Sequence, residues 1–182
     1  MILRTSLAVA AVLAMSACAT SMDSQPTKFS QASLPDAVKV PAGHRVAMET
    51  VGVGEITYEC RAKAGMAGQF EWVFVGPDAK LMDRAGRQVG RYYGPPATWE
   101  AVDGSKFTGT QLAVAPAPAG NIPLQLVKAN PATGMGAMQA VTYVQRVATV
   151  GGVAPAMPCA TGNAGSRQIV QYRADYILYK AG

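Results

Sequence analysis

Alternation of apolar and polar residues with a period of two, the mark of half-buried strands, runs through most of the chain after residue 34. His44 to Val51 reads as one strand and Glu55 to Ala62 as another, the second with Ile56, Tyr58 and Cys60 on one face and Thr57, Glu59 and Arg61 on the other. Phe70, Trp72 and Phe74 share a face in the strand that follows, and so bulky a face belongs in a core. Gly76-Pro77-Asp78 reads as a turn, Leu81-Met82 as a short strand, and Asp83-Arg84-Ala85-Gly86 as a hairpin loop. Lys106 to Ala115, Ile122 to Lys128, Ala137 to Thr149 and Gln168 to Lys180 supply four more strands. In the last of these Val170, Tyr172, Ala174, Tyr176 and Leu178 face one way, and Gln171, Arg173 and Asp175 the other.

Between these strands lie the stiff connector Pro116 to Gly120, the glycine-rich loop Asn130 to Gly136 and the long irregular loop Gly151 to Ser166. No long segment keeps a helical period free of Gly or Pro. The expected fold is mainly β: a single-domain antiparallel β-sandwich or barrel of eight to ten strands, with one disulfide. Val38 to Gly43 reads as its opening strand and turn, so the β domain is assigned to residues 34–182.

The first 17 residues depart from this pattern. Arg4 precedes a short apolar run, Leu7 to Met15, far below the ~20 residues that span a bilayer, so residues 1–17 read as a cleaved signal peptide. Met15-Ser16-Ala17-Cys18 resembles a bacterial lipobox, in which the cysteine is acylated and becomes the mature N-terminus. An ordinary signal that happens to contain a cysteine is the competing reading. Ala19, rather than Asp, follows Cys18, which favours sorting to the outer membrane. Residues 18–33 are polar and aperiodic and read as a flexible tether. The expected location is periplasmic, held to outer-membrane lipid through the acylated N-terminus.

Charge changes the picture little. Loss of residues 1–17 removes Arg4 alone, so the formal charge of +5 becomes +4. The charges are scattered, which indicates neither a nucleic-acid arm nor a polybasic membrane patch. Cysteine usage says more. With Cys18 acylated, Cys60 and Cys159 remain, and two thiols in an oxidising compartment read as a disulfide rather than a metal pair or a catalytic thiol.

Candidate chemistry is sparse. The single histidine, His44, stands at the start of a strand with no nucleophile motif to partner it. No Gly-x-Ser-x-Gly elbow and no phosphate-binding loop is present, and Gly134-Met135-Gly136 lacks the remainder of a dinucleotide fingerprint. One histidine and bridged cysteines cannot fill a zinc site of the usual kind, so no metal and no cofactor are expected. Gly86 to Ser105 concentrates the remaining candidates: paired tyrosines, paired prolines, a tryptophan and two carboxylates. From it we take Arg91, Tyr92, Tyr93, Trp99, Glu100 and Asp103, with Arg146 from a later strand, as candidate ligand-binding residues.

The order of motifs from Ile56-Thr57-Tyr58-Glu59-Cys60, through Trp72 with Gly76 to Leu81, Gly86 to Gly90, Gly94-Pro95 with Thr98-Trp99 and Asp103-Gly104-Ser105, continues to Val141–Val147, Gly151–Pro155, Cys159 and Tyr172–Tyr176. This order resembles a family of secreted bacterial and fungal proteins known only as domain of unknown function DUF3455, over residues 34–181. The resemblance implies secretion and one globular domain, with no established activity. Where the family pattern has a histidine near position 91 this chain has Arg91-Tyr92, and it carries an extra proline-alanine step between Gly94 and Thr98.

Three functions follow as expectations. The first is a lipid-anchored, non-enzymatic binding or interaction module with an envelope glycan or a protein as partner, and no nucleic acid. The second is a carboxylate-dependent hydrolase of an envelope glycan, which requires Glu100 and Asp103 to converge. The third is a purely structural envelope component. Enzymatic activity is the less favoured of these.

Overall fold

A computed structural model describes residues 29–182; the segments read as signal peptide and lipobox, with Cys18, and the first part of the expected tether lie outside the described residues. The chain closes into an up-and-down antiparallel barrel of eight strands in sequence order. They are β1 (His44–Ala62), β2 (Phe70–Met82), β3 (Gln88–Tyr93), β4 (Thr98–Ala101), β5 (Lys106–Ala115), β6 (Leu124–Ala129), β7 (Val141–Gly151) and β8 (Arg167–Ala181). Of the two expected architectures, the barrel is the one formed.

Closure depends on the length of β1. Its residues from His44 to Glu59 pair with β8, and those from Val51 to Ala62 pair with β2, so one strand joins the first and last members of the sheet. The sequence suggests a break at Gly52-Val53-Gly54, but the strand runs straight through. These glycines are inward positions kept empty for a neighbour: a β-carbon on Gly52 would lie 2.5 Å from the Tyr176 ring. Gly76-Pro77-Asp78 is likewise no turn. It lies within β2 opposite Thr57, Ile56 and Glu55, where a bulge between Thr57 and Tyr58 absorbs the irregularity.

Inward positions, alternating except where bulges shift the register, build one continuous core from Ile56, Leu81, Tyr92, Trp99, Phe107, Val127, Val144, Tyr172, Tyr176 and Leu178. Trp99 is 1% exposed. Its ring stacks between Tyr92, with centroids 4.5 Å apart, and Phe107, at 5.4 Å, and meets Tyr176 edge-on at 6.1 Å. A β-carbon on Gly109 would lie 2.8 Å from the indole, so glycine there makes room for the largest side chain of the interior.

The lower end, where β2–β3, β4–β5 and β6–β7 are joined, is plugged. Met138 is fully buried there, and its backbone N–H donates to the Ser105 hydroxyl at 3.1 Å. At the same end the Gly182 N–H donates to the Gly43 carbonyl at 2.8 Å, so the barrel begins and ends at one place. The upper end carries the disulfide: Cys60 and Cys159, 99 residues apart in sequence, are bonded with their Cα atoms 5.4 Å apart. The bridge holds the long connection between β7 and β8 against the top of β1. Of Phe70, Trp72 and Phe74, expected in the core, Trp72 packs partly buried against it, and all three stand toward this open end. Phe74 is 50% exposed, and the Trp72 indole donates to the Met157 carbonyl of the bridged connection at 2.8 Å.

A second apolar cluster lies outside the barrel wall. Residues 29–40 cross it as a strap containing a single 3-10 turn at Asp36–Val38, not the expected opening strand. Val38 and Val40, with Phe29 and Leu34, cover Ala115, Leu126, Val147, Ile177 and Tyr179. Phe29 and Gln31, within the stretch read as tether, are thus packed. The seam is polar at its centre. Buried Gln145 donates to the Val38 carbonyl at 2.6 Å and to the Gln31 side chain at 3.0 Å, and accepts from the Tyr179 hydroxyl at 2.6 Å.

Replacing Gln145 with Leu would take that partner from the buried Val38 carbonyl and Tyr179 hydroxyl, while the Gln31 amide oxygen keeps the Val40 N–H. At ~1–3 kcal/mol for a buried unsatisfied group, Gln145→Leu should lower the urea midpoint and raise amide exchange within residues 31–40 above that of the barrel strands. Unchanged exchange in the strap would show that Gln145 does not hold it.

Candidate functional site

The stretch from Gly86 to Ser105 folds as β3, a connection containing two cis peptide bonds (Gly94–Pro95 and Pro95–Pro96), β4 and a tight turn. Period two then divides the candidates taken from it. Tyr92 and Trp99 face inward and are opposite one another in register. Arg91, Tyr93 and Glu100 alternate with them and so face outward. On that outer face the Arg91 guanidinium lies 4.2 Å from the Tyr93 ring centroid, and the Tyr93 hydroxyl donates to Glu100 at 2.7 Å. That bond to a carboxylate is the main reason the Tyr93 phenol is harder to ionise than usual.

Asp103 lies at neither place. In the lower turn it accepts from the Ser105 hydroxyl and backbone N–H, and from the Ala137 N–H at 2.7 Å. These bonds, that from the Ser105 hydroxyl foremost, hold its carboxyl below the ordinary carboxylate value. Asp103 therefore ties the β4–β5 turn to the plug around Met138. Glu100 and Asp103 are engaged on different surfaces, and Trp99 has no face free to serve as a sugar platform.

Two of the seven candidates, Tyr92 and Arg146, meet at a cavity. Arg146 follows Val144 by two residues and shares its inward register, one step nearer the mouth. With Tyr92 it lines a cavity of about 350 Å³ at the upper mouth of the barrel. Tyr58 and Phe74 supply the other aromatic walls, and Gln111 and Gln125, hydrogen-bonded to each other, supply a polar edge. Tyr58 is fixed by donating its hydroxyl to the Gly152 carbonyl at 2.8 Å, which links the wall of the mouth to the disulfide-bridged connection. The sequence reading missed Tyr58, Phe74, Gln111 and Gln125 as site residues, although Tyr58 and Phe74 were already on inward faces; the signal was a run of inward positions ending in polar or aromatic residues at one end of several strands.

Arg146 uses Nε and one terminal nitrogen on the same acceptor, the Pro123 carbonyl, at 3.2 and 2.9 Å. Among the described residues no carboxylate lies within salt-bridge distance of it, whereas Arg61, Arg84, Arg87 and Arg167 all have one. Its positive charge is felt by the tyrosines beneath: it offsets part of the rise that burial imposes on the Tyr58, Tyr92, Tyr172 and Tyr176 phenols. Tyr172 and Tyr176 share a hydroxyl–hydroxyl bond of 3.0 Å in the interior. The Trp99 Nε1–H is buried and meets no acceptor among the described residues.

A larger groove, of about 580 Å³, lies at the lower end between His44, Lys128 and Tyr143. There His44 packs edge-on against Tyr143, centroids 4.8 Å apart, with Nδ1 3.1 Å from the Pro41 carbonyl, away from any carboxylate or hydroxyl nucleophile in its recorded bonds. Among the described residues no three His, Cys, Asp or Glu side chains gather where they could hold a metal ion.

Residues 41–180 match a family model described as "Protein of unknown function (DUF3455)". No curated protein and no solved structure matches the chain.

The interior tyrosines generate a pH prediction. Burial raises the Tyr92, Tyr172 and Tyr176 phenols, and raises Tyr179 to about 12. A group whose pKa is higher in the folded than in the unfolded chain contributes stability in full below the unfolded value, ~10 for tyrosine, and loses it as pH climbs through the folded value. Stability to urea should therefore fall as pH rises beyond ~10, and the tyrosinate absorbance of the native protein should lag behind that of the urea-unfolded chain. Superimposable titration curves would contradict the assignment.

Proposed function

From the premise that the chain belongs to the DUF3455 family of proteins of unknown function, we propose that it is a non-enzymatic binding module whose ligand is a small molecule seated in the upper mouth of the barrel. The observation that carries this reading is the mouth cavity itself. At about 350 Å³ it falls in the size range of small-molecule sites, ~300–1,000 Å³. It also has their character, with aromatic walls from Tyr58, Phe74 and Tyr92 and a few polar groups at fixed positions. The mouth is braced on one side by a disulfide and below by the stacked rings of the core, so it needs little reorganisation to receive a ligand.

In this reading the protein is a periplasmic lipoprotein, acylated at Cys18 and held at the outer membrane. The lipobox-like Met15 to Cys18 supports the anchor, and a bridged Cys60–Cys159 pair suits an oxidising compartment. The separation of Glu100 from Asp103 weighs against the hydrolase reading, which needed the two carboxylates in one cleft.

Two outcomes test these statements. The neutral fluorescent dye N-phenylnaphthylamine should bind the wild-type protein with a rise in emission. Ala97→Phe, which places a ring in the cavity that Ala97 lines, should weaken it roughly tenfold or more, about 1.4 kcal/mol, while Val102→Ser at the opposite end should not. Equal binding by all three proteins would remove the mouth as the site. Metabolic labelling with a radioactive fatty acid should mark the wild-type chain and not Cys18→Ser; label on both would remove the anchor.

A further inference from the structure

The mouth has one feature that an apolar ligand alone would not require. Arg146 stands on the inward register of β7, in line with Val144, half-buried at the open mouth where water still reaches it and no carboxylate pairs with it. Its recorded bonds go to a single neutral acceptor, the Pro123 carbonyl, through Nε and one terminal nitrogen. The second terminal nitrogen has no acceptor among the described residues. A guanidinium presents its donors as a rigid planar fork that matches carboxylate, sulfonate and phosphate oxygens. Four of the surface arginines satisfy that fork with Asp or Glu; the one in the mouth does not.

Its surroundings set what else the ligand must carry. The walls beside Arg146 are the rings of Tyr58, Phe74 and Tyr92, and the exposed rim continues the apolar character through Phe74, Val153 and Met157. The charge also acts inward, since the four phenols around the upper interior feel it. A positive group beside these rings favours a molecule that sets a charged end against Arg146 and an apolar body against the rings.

We infer that the mouth binds a small amphiphilic anion, with Arg146 engaging its carboxylate, sulfonate or phosphate-ester group and Tyr58, Phe74 and Tyr92 covering an apolar ring or chain. The inference rests on the reading of the mouth as a ligand site and adds the charge of the ligand to it. Arg146 would then be the selectivity residue of the site, with its bond to Pro123 holding the guanidinium in place.

Two dyes with nearly the same aromatic body separate the inference from its premise: anilinonaphthalene sulfonate, an anion, and N-phenylnaphthylamine, which is neutral. The wild-type protein should bind the sulfonate more tightly, and added salt should weaken the sulfonate while leaving the neutral dye unchanged. Arg146→Gln should weaken the sulfonate by about ten- to a hundredfold, the range for a hydrogen bond to a charged group, and change the neutral dye by less than about threefold. Arg146→Lys should fall between. Sulfonate binding that is indifferent to salt, or equally tight in folded Arg146→Gln, overturns the inference but leaves the mouth as an apolar site. Equal loss of both dyes in Arg146→Gln, with the thermal midpoint lowered, also overturns it, because the arginine then only supports the wall. Failure of both dyes to bind the wild-type protein overturns the premise and the inference together. If Arg146→Gln does not fold, Arg146→Lys and the salt dependence of the wild-type protein decide.

Discussion

Closure of β1 against β8 is the constraint on which the rest of the molecule depends. It removes both sheet edges, which would otherwise offer unpaired backbone to other chains, and it fixes how much space the interior has. A barrel of eight strands is just wide enough for side chains to fill. The filling here is by rings, and rings of that size fit only because the facing positions are small. Gly52 yields to Tyr176, Gly109 to Trp99, and Ala79 and Ala174 sit among the aromatics with almost no exposure. The stacked column Tyr92–Trp99–Phe107 occupies the interior, and the lower turns close it with Met138 and the Asp103–Ser105 bonds. The upper end lacks such a plug, so the space between the last rings and the rim becomes the mouth.

The polar groups divide into those that hold the fold and those left over. Asp103, Gln145, Gln31 and Glu49 each bind backbone or side-chain partners that tie one segment to another. Arg84 bridges Glu49 of β1 and Asp175 of β8, at 3.2 and 2.8 Å, across the seam that closes the barrel. Such half-exposed pairs contribute little individually, but they are satisfied within the protein. Arg146 is the inward-facing cation whose bonding capacity the described residues use only in part, and it coincides with the one end of the barrel that is open.

Much of the fold was legible because a strand with one buried face writes its pattern into the sequence. β5 was read with its observed limits in spite of a bulge between Gln111 and Ala113, and β8 to within a residue at each end, where the alternation is uninterrupted. Misreadings occurred where glycine and proline stood inside strands. At Gly52, Gly54 and Gly76-Pro77 the same residues that make turns elsewhere serve close packing and a bulge, a distinction that depends on the partner strand and not on local propensity. The site was harder to read for a related reason. Residues 91–100 looked like one cluster because they are neighbours in sequence, yet in a strand neighbours point to opposite faces. Alternation sent Tyr92 and Trp99 inward and Arg91, Tyr93 and Glu100 outward. The residues that do meet Tyr92 at the mouth come from β1, β2, β5, β6 and β7, and only the closed topology brings them together. Of the site, Tyr92 and Arg146 were legible as candidates by residue type, but nothing along the chain pairs them before the barrel closes.

The Cys60–Cys159 bridge makes a covalent ring of everything from the top of β1 to the connection before β8. Six of the seven links between barrel strands, from β1–β2 to β6–β7, lie inside that ring. A protease that cuts any one of them leaves the molecule in a single covalent piece, with β1 and β8, the two strands that close the wall, still on chains joined at the mouth. The link from β7 to β8 is itself tethered by the bridge near its middle, so a cut beyond Cys159 would be the one that frees β8. The bridge thus acts as insurance against clipping in six of the loops as well as a brace for the mouth, and molecules nicked in any of those six would part into fragments only once they were reduced.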